Sequence, residues 1–333
     1  MSTNHLPTRA ALYLLIALPG SLAAAQAELL ALESTIVLEH VSGRIDHLAI
    51  DLLRHRLFVA ELGNDSVGVV DLNTRQVLRT ITGLPEPQGL AYLPSTDTLY
   101  VACGGDGSVR LLQGADLRDA GRIELGADAD NIRVDLAKQR VYVGHGSGGI
   151  AVIDAASGKP LSDIALHAHP ESFQQDPVLR RIYANVPDRS EIAVIDLASG
   201  RQTLNWHTGA LNSNFPMTLS ATGNEVWVGF RHPAVVAEFN TQTGVQTRSA
   251  EVCADADDIF LDTKRSQLYV SCGAGELDVL AWQAGPIQVR LRVPTRPGAR
   301  TSLLVPELDR LYVAAPARIG RAAVIFVYRL GTT

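Results

Sequence analysis

The sequence predicts an all-β fold, a seven-bladed β-propeller with four strands in each blade. Aromatic residues recur along the chain at intervals of 41 to 44 residues, each within a short apolar run. A fixed period of about 40 to 50 residues, with room for four short strands in each repeat, is typical of propeller blades. The recurring residues are Phe58, Tyr100, Tyr142, Tyr183, Trp227, Tyr269 and Tyr312.

The first repeat shows how a blade divides into strands. We predict an inner strand over 45–51, the strand with the aromatic residue over 56–61, a third strand over 66–72 and an outermost strand over 76–83. The third strands of several repeats are β-branched runs that end in aspartate, and turn-forming residues flank them. The segments 73–75 and 156–158 are predicted as tight turns between third and fourth strands.

The two ends of the chain are predicted to complete one blade together. The last repeat lacks a fourth strand after its third strand at 322–328, whereas an unassigned strand at 34–41 precedes the first repeat. A ring that borrows this N-terminal strand leaves no unpaired sheet edge. We therefore predict a last blade of three strands plus one.

The first 27 residues have the pattern of a secretory signal peptide. A polar segment with one positive charge precedes an apolar stretch at 10–25 and the small-x-small cleavage site Ala25-Gln26-Ala27. We predict a signal peptide over 1–27, one propeller domain over 28–333, and a periplasmic or secreted location. An uncleaved anchor is the alternative, although no later stretch approaches the roughly 20 apolar residues that span a bilayer.

Three cysteines remain in the predicted mature chain. Cys253 and Cys272 flank the first two strands of one repeat, and a hairpin there would return both residues to the same side of the blade. We predict a disulfide between them and a partly buried thiol at Cys103. The alternative is three reduced cysteines that pack as small apolar side chains.

Segments of the first two repeats follow one another in a recurring order. They are Val67-Gly68-Val69-Val70-Asp71, the strand at 76–83 and Pro87-Gln88-Gly89-Leu90-Ala91. In these segments the chain resembles the YVTN-repeat, YncE-like β-propellers that bacteria export. The resemblance covers the mature chain and implies the architecture and export, but little mechanism, because such folds carry many functions.

The residues that begin the inner strands of a propeller surround one mouth of its central channel. Aligned on the aromatic residues, seven pairs occupy these positions: Asp46-His47, Gln88-Gly89, Asp130-Asn131, Glu171-Ser172, Phe215-Pro216, Asp257-Asp258 and Thr301-Ser302. With the polar residues just upstream they form a largely acidic set, here called the collar. We predict that the collar binds a ligand through Arg44, Asp46, His47, Gln88, Asp128, Asp130, Asn131, His169, Glu171, Asn214, Asp255, Asp257, Asp258 and Arg300.

So many carboxylates around one opening require compensation. At ~6 Å and an effective dielectric constant near 20, each like-charged pair costs about 3 kcal/mol. We expect a bound cation, counter-charges from Arg44 or Arg300, or raised carboxyl pKa values. Asp130, Glu171 and Asp257 are candidate ligands for Ca²⁺ or another divalent cation, although no cofactor is certain. Acids that cap loop amides are the alternative.

Two histidine motifs add further candidates. In His167-Ala168-His169-Pro170-Glu171, alternating ligands could hold a transition metal, but the proline disturbs the strand that would align them. His47 beside Asp46 is a candidate general base, and Glu171 is the second catalytic candidate. A surface histidine near a carboxylate is the alternative for His47. Loops after the aromatic strands should bring further basic residues to the rim, namely His145, Arg231, His232 and Arg318.

Two functions remain open. The first is a periplasmic β-propeller that binds a small molecule or a partner protein at the collar, and we favour it because no nucleophile is evident. The alternative is a metal-dependent hydrolase, similar to lactonases and gluconolactonases by analogy of ring position. The formal net charge of −6 and the acidic collar make nucleic acid an unfavourable partner. We expect a monomer with no membrane span once the signal peptide is removed.

Overall fold

The computed structural model describes residues 29–283 and 285–331. These residues form seven separate four-stranded antiparallel sheets arranged in a ring, so the predicted seven-bladed β-propeller is confirmed. The signal peptide predicted at 1–27 lies outside the described residues. In the part of the chain that the structure describes, no helix is long and apolar enough to cross a membrane.

Each blade runs from an inner strand at the channel to an outermost strand. The strands in chain order are β1 (Leu30–Leu38), β2 (Leu48–Asp51), β3 (Arg56–Glu61), β4 (Ser66–Asp71), β5 (Gln76–Thr82), β6 (Pro87–Leu93), β7 (Thr98–Cys103), β8 (Ser108–Gln113), β9 (Arg118–Glu124), β10 (Ala129–Asp135), β11 (Arg140–His145), β12 (Gly149–Asp154), β13 (Lys159–Ala165) and β14 (Phe173–Asp176). They continue as β15 (Arg181–Val186), β16 (Glu191–Asp196), β17 (Arg201–His207), β18 (Asn212–Leu219), β19 (Glu225–His232), β20 (Ala234–Asn240), β21 (Gln246–Glu251), β22 (Ala256–Asp262), β23 (Gln267–Cys272), β24 (Glu276–Ala281), β25 (Gln288–Pro294), β26 (Ser302–Val305), β27 (Arg310–Ala315) and β28 (Ala323–Leu330).

Blades 1 to 6 each use four consecutive strands, from β2–β5 to β22–β25, and blade 7 has the order β1-β28-β27-β26. Short 3-10 turns join β3 to β4, β15 to β16 and β26 to β27. They comprise Leu62–Asn64, Pro187–Arg189 and Pro306–Leu308. The blades are therefore nearly pure β-structure.

The N-terminal strand closes the ring. β1 pairs antiparallel with β28, from Leu30 opposite Leu330 to Leu38 opposite Ala323. The predicted closure is confirmed, but the strand begins four residues earlier than the prediction of 34–41. Glu33 on this strand also forms ion pairs with Arg75 of blade 1, at 2.7 Å, and with Arg310 of blade 7, at 2.5 Å. The strand thus joins the first and last blades through side chains as well as backbone.

The recurring aromatic residues fill the spaces between neighbouring blades. All seven are buried. Tyr100 of blade 2 packs against Val141 and Ile153 of blade 3, and its hydroxyl donates to the carbonyl oxygen of Ala155 at 3.1 Å. Burial of one large ring in every repeat supplies apolar contact between sheets that share no backbone hydrogen bonds. The regular spacing of the aromatic residues therefore arises because each blade places one of these rings against its neighbour.

The aspartate that ends the third strand of a blade stabilises the turn that follows it. An oxygen of the Asp71 carboxylate accepts hydrogen bonds from the amides of Asn73 and Thr74, at 2.7 and 2.9 Å. Asp154 and Asp196 accept equivalent bonds in their own turns. These acids belong to the turn chemistry of the repeat and lie apart from the collar.

A disulfide bond joins Cys253 to Cys272, the pairing expected from the sequence, with a Cα–Cα distance of 5.8 Å. It ties the segment before β22 to the end of β23 in blade 6. Cys103 is a free, fully buried cysteine. Burial raises the pKa of its thiol to about 12, so it stays protonated at neutral pH.

The closure of the ring by β1 leads to a stability prediction. Ile36 is 1% exposed and packs into the core between blades 7 and 1, whereas Leu32 on the same strand is 53% exposed. We expect Ile36→Ala to lower the free energy of unfolding by about 2 to 5 kcal/mol, because it removes a buried side chain and leaves a cavity. Leu32→Ala should change it by less than about 0.5 kcal/mol. Urea unfolding measures both, and equal losses would contradict this account of closure.

Candidate functional site

The starts of the inner strands converge on one opening of the central channel. Residues from five blades line this opening: Arg44, Asp46, His47, Asp130, Asn131, Glu171, Ser172, Phe215, Asp257 and Asp258. Below it lies a channel cavity of about 150 Å³, which shares His47, Ser172 and Asp258 with the opening. The structure therefore brings together the central members of the predicted collar, although they come from distant parts of the sequence.

Local irregularities of the inner strands aim the collar side chains at the channel. In blades 2, 3, 5 and 6, the pairing between the first two strands shifts at the collar pair, as between Ala129 and Ile132 of β10. In blades 1 and 4 the inner strand begins only after the pair, at Leu48 and Phe173. A bulge or an unpaired start removes residues from strict alternation and re-aims their side chains. Adjacent residues can therefore both face the opening.

The first cluster of the collar joins residues of blades 1 and 6, which lie on either side of blade 7. Arg44 forms an ion pair with Asp46, with a nitrogen–oxygen distance of 2.7 Å. His47 lies 3.7 Å from a carboxylate oxygen of Asp46 on one side and 3.7 Å from one of Asp258 on the other. Burial alone would lower the pKa of His47, but the two carboxylates outweigh it and raise this pKa to about 10. A histidine protonated at neutral pH is poorly suited to the predicted role of general base.

The second cluster is organised by Arg231, at the end of β19. Its guanidinium group lies 3.1 Å from a carboxylate oxygen of Asp255 and also bonds to Asp257. The same group stacks over the ring of Phe215, 3.7 Å from its centroid. Arg300 binds the other oxygen of Asp255 at 2.7 Å. The sequence placed Arg231 at the rim, but it gave no sign that this residue is the main counter-charge of blade 6.

A third cluster lies on the rim above blades 2 to 4. The side-chain amide of Gln88 donates to Asp128 at 2.7 Å, and Nδ1 of His169 lies 3.3 Å from the other oxygen of Asp128. The hydrogen bond to His169 lowers the pKa of Asp128. Burial would lower the pKa of His169, but its acidic neighbours, Asp128 first, raise it. Asp128 thus links Gln88 to His169, whereas Nε2 of His169 is buried without a hydrogen-bond partner among the described residues.

Asn214 does not line the opening as predicted. It is 0% exposed, and its amide donates to the carbonyl oxygen of Glu191 at 2.9 Å and to the side chain of Asn185 at 3.1 Å. Ser213 has a φ of 59°, the left-handed conformation that Asp128 adopts in blade 3 with a φ of 40°. Asn214 therefore corresponds to the buried Ala129 of blade 3 and not to Asp128, whereas the pair Phe215-Pro216 keeps its predicted alignment. The hydrogen bonds of Asn214 stabilise the loops between blades 4 and 5.

In the described chain, Asp130, Asn131 and Glu171 form a part of the collar that no ion pair holds, although His169 acts electrostatically on both acids from a longer distance. Asp130 is 7% exposed and accepts a hydrogen bond from the amide of Asn131 at 3.3 Å. Asn131 is 4% exposed, and its side-chain oxygen is buried without a hydrogen-bond partner. Within the described residues, neither Asp130 nor Glu171 has a cationic nitrogen within 4 Å, unlike the acids of the first two clusters.

The pKa values of the collar acids follow from this arrangement. Burial and the nearby charge of Asp130 raise the pKa of Glu171 to about 7. Burial and Asp46 also raise the pKa of Asp130. Burial raises the pKa of Asp257 to about 7, although Arg231 opposes the shift. The opening thus contains carboxyl groups with raised pKa values, because burial outweighs the counter-charges that reach them.

The arrangement of the side chains does not favour a metal centre. Across residues 29–283 and 285–331, no group of three or more His, Cys, Asp or Glu side chains is placed to hold a metal ion. Of the candidate ligands, Asp257 is engaged by Arg231, and His169 of the histidine motif faces Asp128. Ca²⁺ or another divalent cation at Asp130, Glu171 and Asp257 stays a prediction.

Comparisons with known proteins identify the architecture. No family model matches the sequence, and a comparison with curated proteins finds no match. A chain of hydrazine synthase from Kuenenia stuttgartiensis is 18% identical, with a TM-score of 0.73 over 86% of this chain and 97% of that one. A chain of the mitotic checkpoint complex is 12% identical, with a TM-score of 0.78 over 98% of this chain and 100% of that one. Likeness at this level of identity shows the propeller fold alone, so the resemblance to YncE-like proteins stays a prediction.

The raised pKa of Glu171 predicts a pH-dependent contribution to stability. Its ordinary pKa is 4.5 and its pKa in the folded protein is about 7, so the folded state binds this proton more tightly. The stability that Glu171 contributes is therefore present below pH 4.5 and is lost as the pH rises through 7. We expect the free energy of unfolding of Glu171→Gln, relative to wild type, to increase between these pH values and then to level off. Urea unfolding at several pH values tests this, and a difference independent of pH would contradict it.

Proposed function

We propose that this chain is an exported β-propeller that binds a ligand at the collar and receives a cationic group of that ligand between Asp130 and Glu171. The ligand is a small molecule, or a side chain of a periplasmic partner protein. Export is inferred from the signal-peptide pattern at 1–27 and from the resemblance to exported bacterial propellers. The propeller fold suits such a role, because its channel mouth gathers residues from several blades.

The proposal rests on one observation, which is that some acids of the opening contact an arginine and others do not. Asp46, Asp255 and Asp257 each contact an arginine, whereas Asp130 and Glu171 face the same opening without one among the described residues. Burying carboxyl groups without an ion pair is costly, and here this burial raises the pKa values of both groups. A ligand cation would supply the missing charge and allow both groups to ionise.

The donor set indicates which cation fits. The free side-chain oxygen of Asn131 adds a neutral acceptor to the two carboxyl groups. An ammonium or guanidinium group has several N–H donors that match such a set of oxygens, and hydrogen bonds between charged groups are the stronger kind. Binding should also lower the pKa of Glu171, so that the ligand displaces protons near neutral pH.

The hydrolase hypothesis has less support. The protonated state of His47 leaves Glu171 as the remaining catalytic candidate, and the described residues offer no ready group of metal ligands. A hydrolase also needs an activated water or a nucleophilic side chain, and in the described chain the Ser172 hydroxyl at the opening is bonded to Arg133 and not to a general base. Binding accounts for the unpaired acids without these additional requirements.

A minimal amine tests the proposal directly. We expect n-butylamine to bind the full-length mature protein at pH 7, and Asp130→Asn to weaken this binding at least tenfold, since it removes one carboxylate from the site. Saturation-transfer NMR titrations measure the weak affinities involved. Calorimetry in two buffers of different ionisation enthalpy should show proton release on binding to the wild type.

Asp116 provides a matched control. It is an exposed aspartate in the turn between β8 and β9, at the end of the blade away from the collar. Asp116→Asn should bind n-butylamine like the wild type. No saturable binding to the wild type, or equal binding by Asp130→Asn and Asp116→Asn, would overturn the proposal.

A further inference from the structure

The channel cavity directly below the collar contains an arginine that the proposed function does not use. Arg133 and residues of all seven inner strands line this cavity of about 150 Å³. Its wall is mixed, with apolar residues such as Leu48 and Ile132 beside the polar side chains of Ser172 and Gln174. A cavity of about 150 Å³ is large enough to hold a small organic molecule, on the scale of benzene.

The guanidinium group of Arg133 has no acidic partner among the described residues. One of its terminal nitrogens donates to the carbonyl oxygen of Ile132 at 2.8 Å, and the other donates to the hydroxyl of Ser172 at 3.0 Å. The group also lies over the ring of Phe173, at 5.6 Å from its centroid. Guanidinium carries five N–H donors, so most of its capacity remains unused.

The other cations of the opening differ from Arg133 in this respect. Arg44, Arg231 and His47 each have a carboxylate within 4 Å. Burial lowers the pKa of Arg133, because removing the group from water disfavours its charged form. An anion brought by a ligand would offset this cost, and a carboxylate can accept two parallel hydrogen bonds from one guanidinium.

We propose that Arg133 binds a carboxylate of the ligand, and that the ligand is a small zwitterion whose ammonium group lies between Asp130 and Glu171. This inference rests on the proposed function, which supplies the ammonium site. It narrows the ligand to the chemical class of small amino acids, with the ammonium at the mouth and the carboxylate further down the channel.

The register of β10 agrees with a short ligand. Asp130 and Arg133 lie three residues apart on this strand, or at most about 10 Å along an extended backbone. The shift between Ala129 and Ile132 shortens this separation. Two hydrogen bonds of about 2.8 Å plus the roughly 3 Å between the charged atoms of an α-amino acid span about 8 to 9 Å. The separation of the two residues along the backbone is therefore of the same order as the length that a small amino acid spans.

Asp258 also lines the channel, but its charge is already compensated. One of its oxygens accepts a hydrogen bond from the amide of Ser302 at 2.7 Å, and the other faces His47 at 3.7 Å. It therefore opposes a ligand carboxylate less than an unpaired acid would. Asn131 supports the other end of the site, because its unpartnered oxygen lines the opening beside Asp130.

Matched probes separate the two charges of the ligand. We would titrate the wild-type protein with glycine, β-alanine and γ-aminobutyrate. Each is compared with the amine that has a methyl group in place of the carboxylate, namely ethylamine, n-propylamine and n-butylamine. Calorimetry and saturation-transfer NMR give the affinities. We expect at least one amino acid to bind tenfold or more tightly than its matched amine, and the best of the three reports the charge spacing.

Substitution of the arginine then assigns the effect. Arg133→Gln should reduce the affinity for that amino acid at least tenfold, to the level of the amine, and leave the amine affinity unchanged. Arg181→Gln is the control, because Arg181 is likewise bonded to a carbonyl oxygen, that of Thr241 at 3.3 Å, but lies outside the channel. It should leave both affinities unchanged.

The outcomes distinguish this inference from the proposed function. Equal affinities of the amino acids and their matched amines for the wild type would overturn the zwitterion and leave the amine site intact. The zwitterion would also be overturned if the Arg133→Gln variant still bound the amino acid more tightly than the matched amine. Failure of all amines and amino acids to bind would overturn both proposals. If Arg133→Gln fails to fold, the affinities of the wild type for amino acids and for their matched amines still decide whether the ligand is a zwitterion.

Discussion

The pairing of β1 with β28 is the constraint on which the collar depends. It places blade 7 against blade 1, and the hydroxyl of Thr301 then donates to the carbonyl oxygen of Ile45 across the seam, at 3.4 Å. Asp258 of blade 6 can therefore contact both Ser302 of blade 7 and His47 of blade 1. In an open arc these groups would separate, and His47 would lose the carboxylate that contributes most to its raised pKa. Closure of the ring thus determines the charge state of the site.

The acids of the collar are stabilised in unequal ways. On the side of blades 5 to 7, Arg231 and Arg300 hold the carboxylates of Asp255 and Asp257 in place. On the side of blades 3 and 4, Asp130 and Glu171 have no ion pair among the described residues, and burial raises the pKa of both. The acids on one side of the opening are therefore neutralised by arginines, whereas the acids on the other side have no ion-pair partner among the described residues. Because of this asymmetry, a positive group of a ligand would bind on the side of blades 3 and 4 and not on the side of blades 5 to 7.

Much of the fold could be read from the sequence, because apolar spacing reports directly on strands and on packing between blades. The collar pairs could also be found, since the start of an inner strand keeps a nearly constant distance from the aromatic residue of its repeat. Asn214 was misplaced because Ser213, and not Asn214, holds the left-handed position that Asp128 holds in blade 3. The role of Arg231 could not be derived, because its contact with blade 6 depends on tertiary packing. The sequence also could not show that, in the described chain, Arg133 has no carboxylate within ion-pairing distance.

The shifted pairing at the collar has a consequence for how such a molecule can diversify. Gln88, Gly89, Asp130 and Asn131 fall in gaps of the strand register, where no partner residue opposes them. Replacing Gln88, Asp130 or Asn131 leaves the paired residues of the ladder in place, whereas Gly89 is constrained, because a Cβ there would lie 2.0 Å from the carbonyl oxygen of Asp130. Ligand preference and structural integrity are thus encoded at separate sets of positions. A few substitutions at the collar could therefore give such a protein a new ligand while the propeller fold is kept. This is one physical reason why a common fold serves unrelated functions.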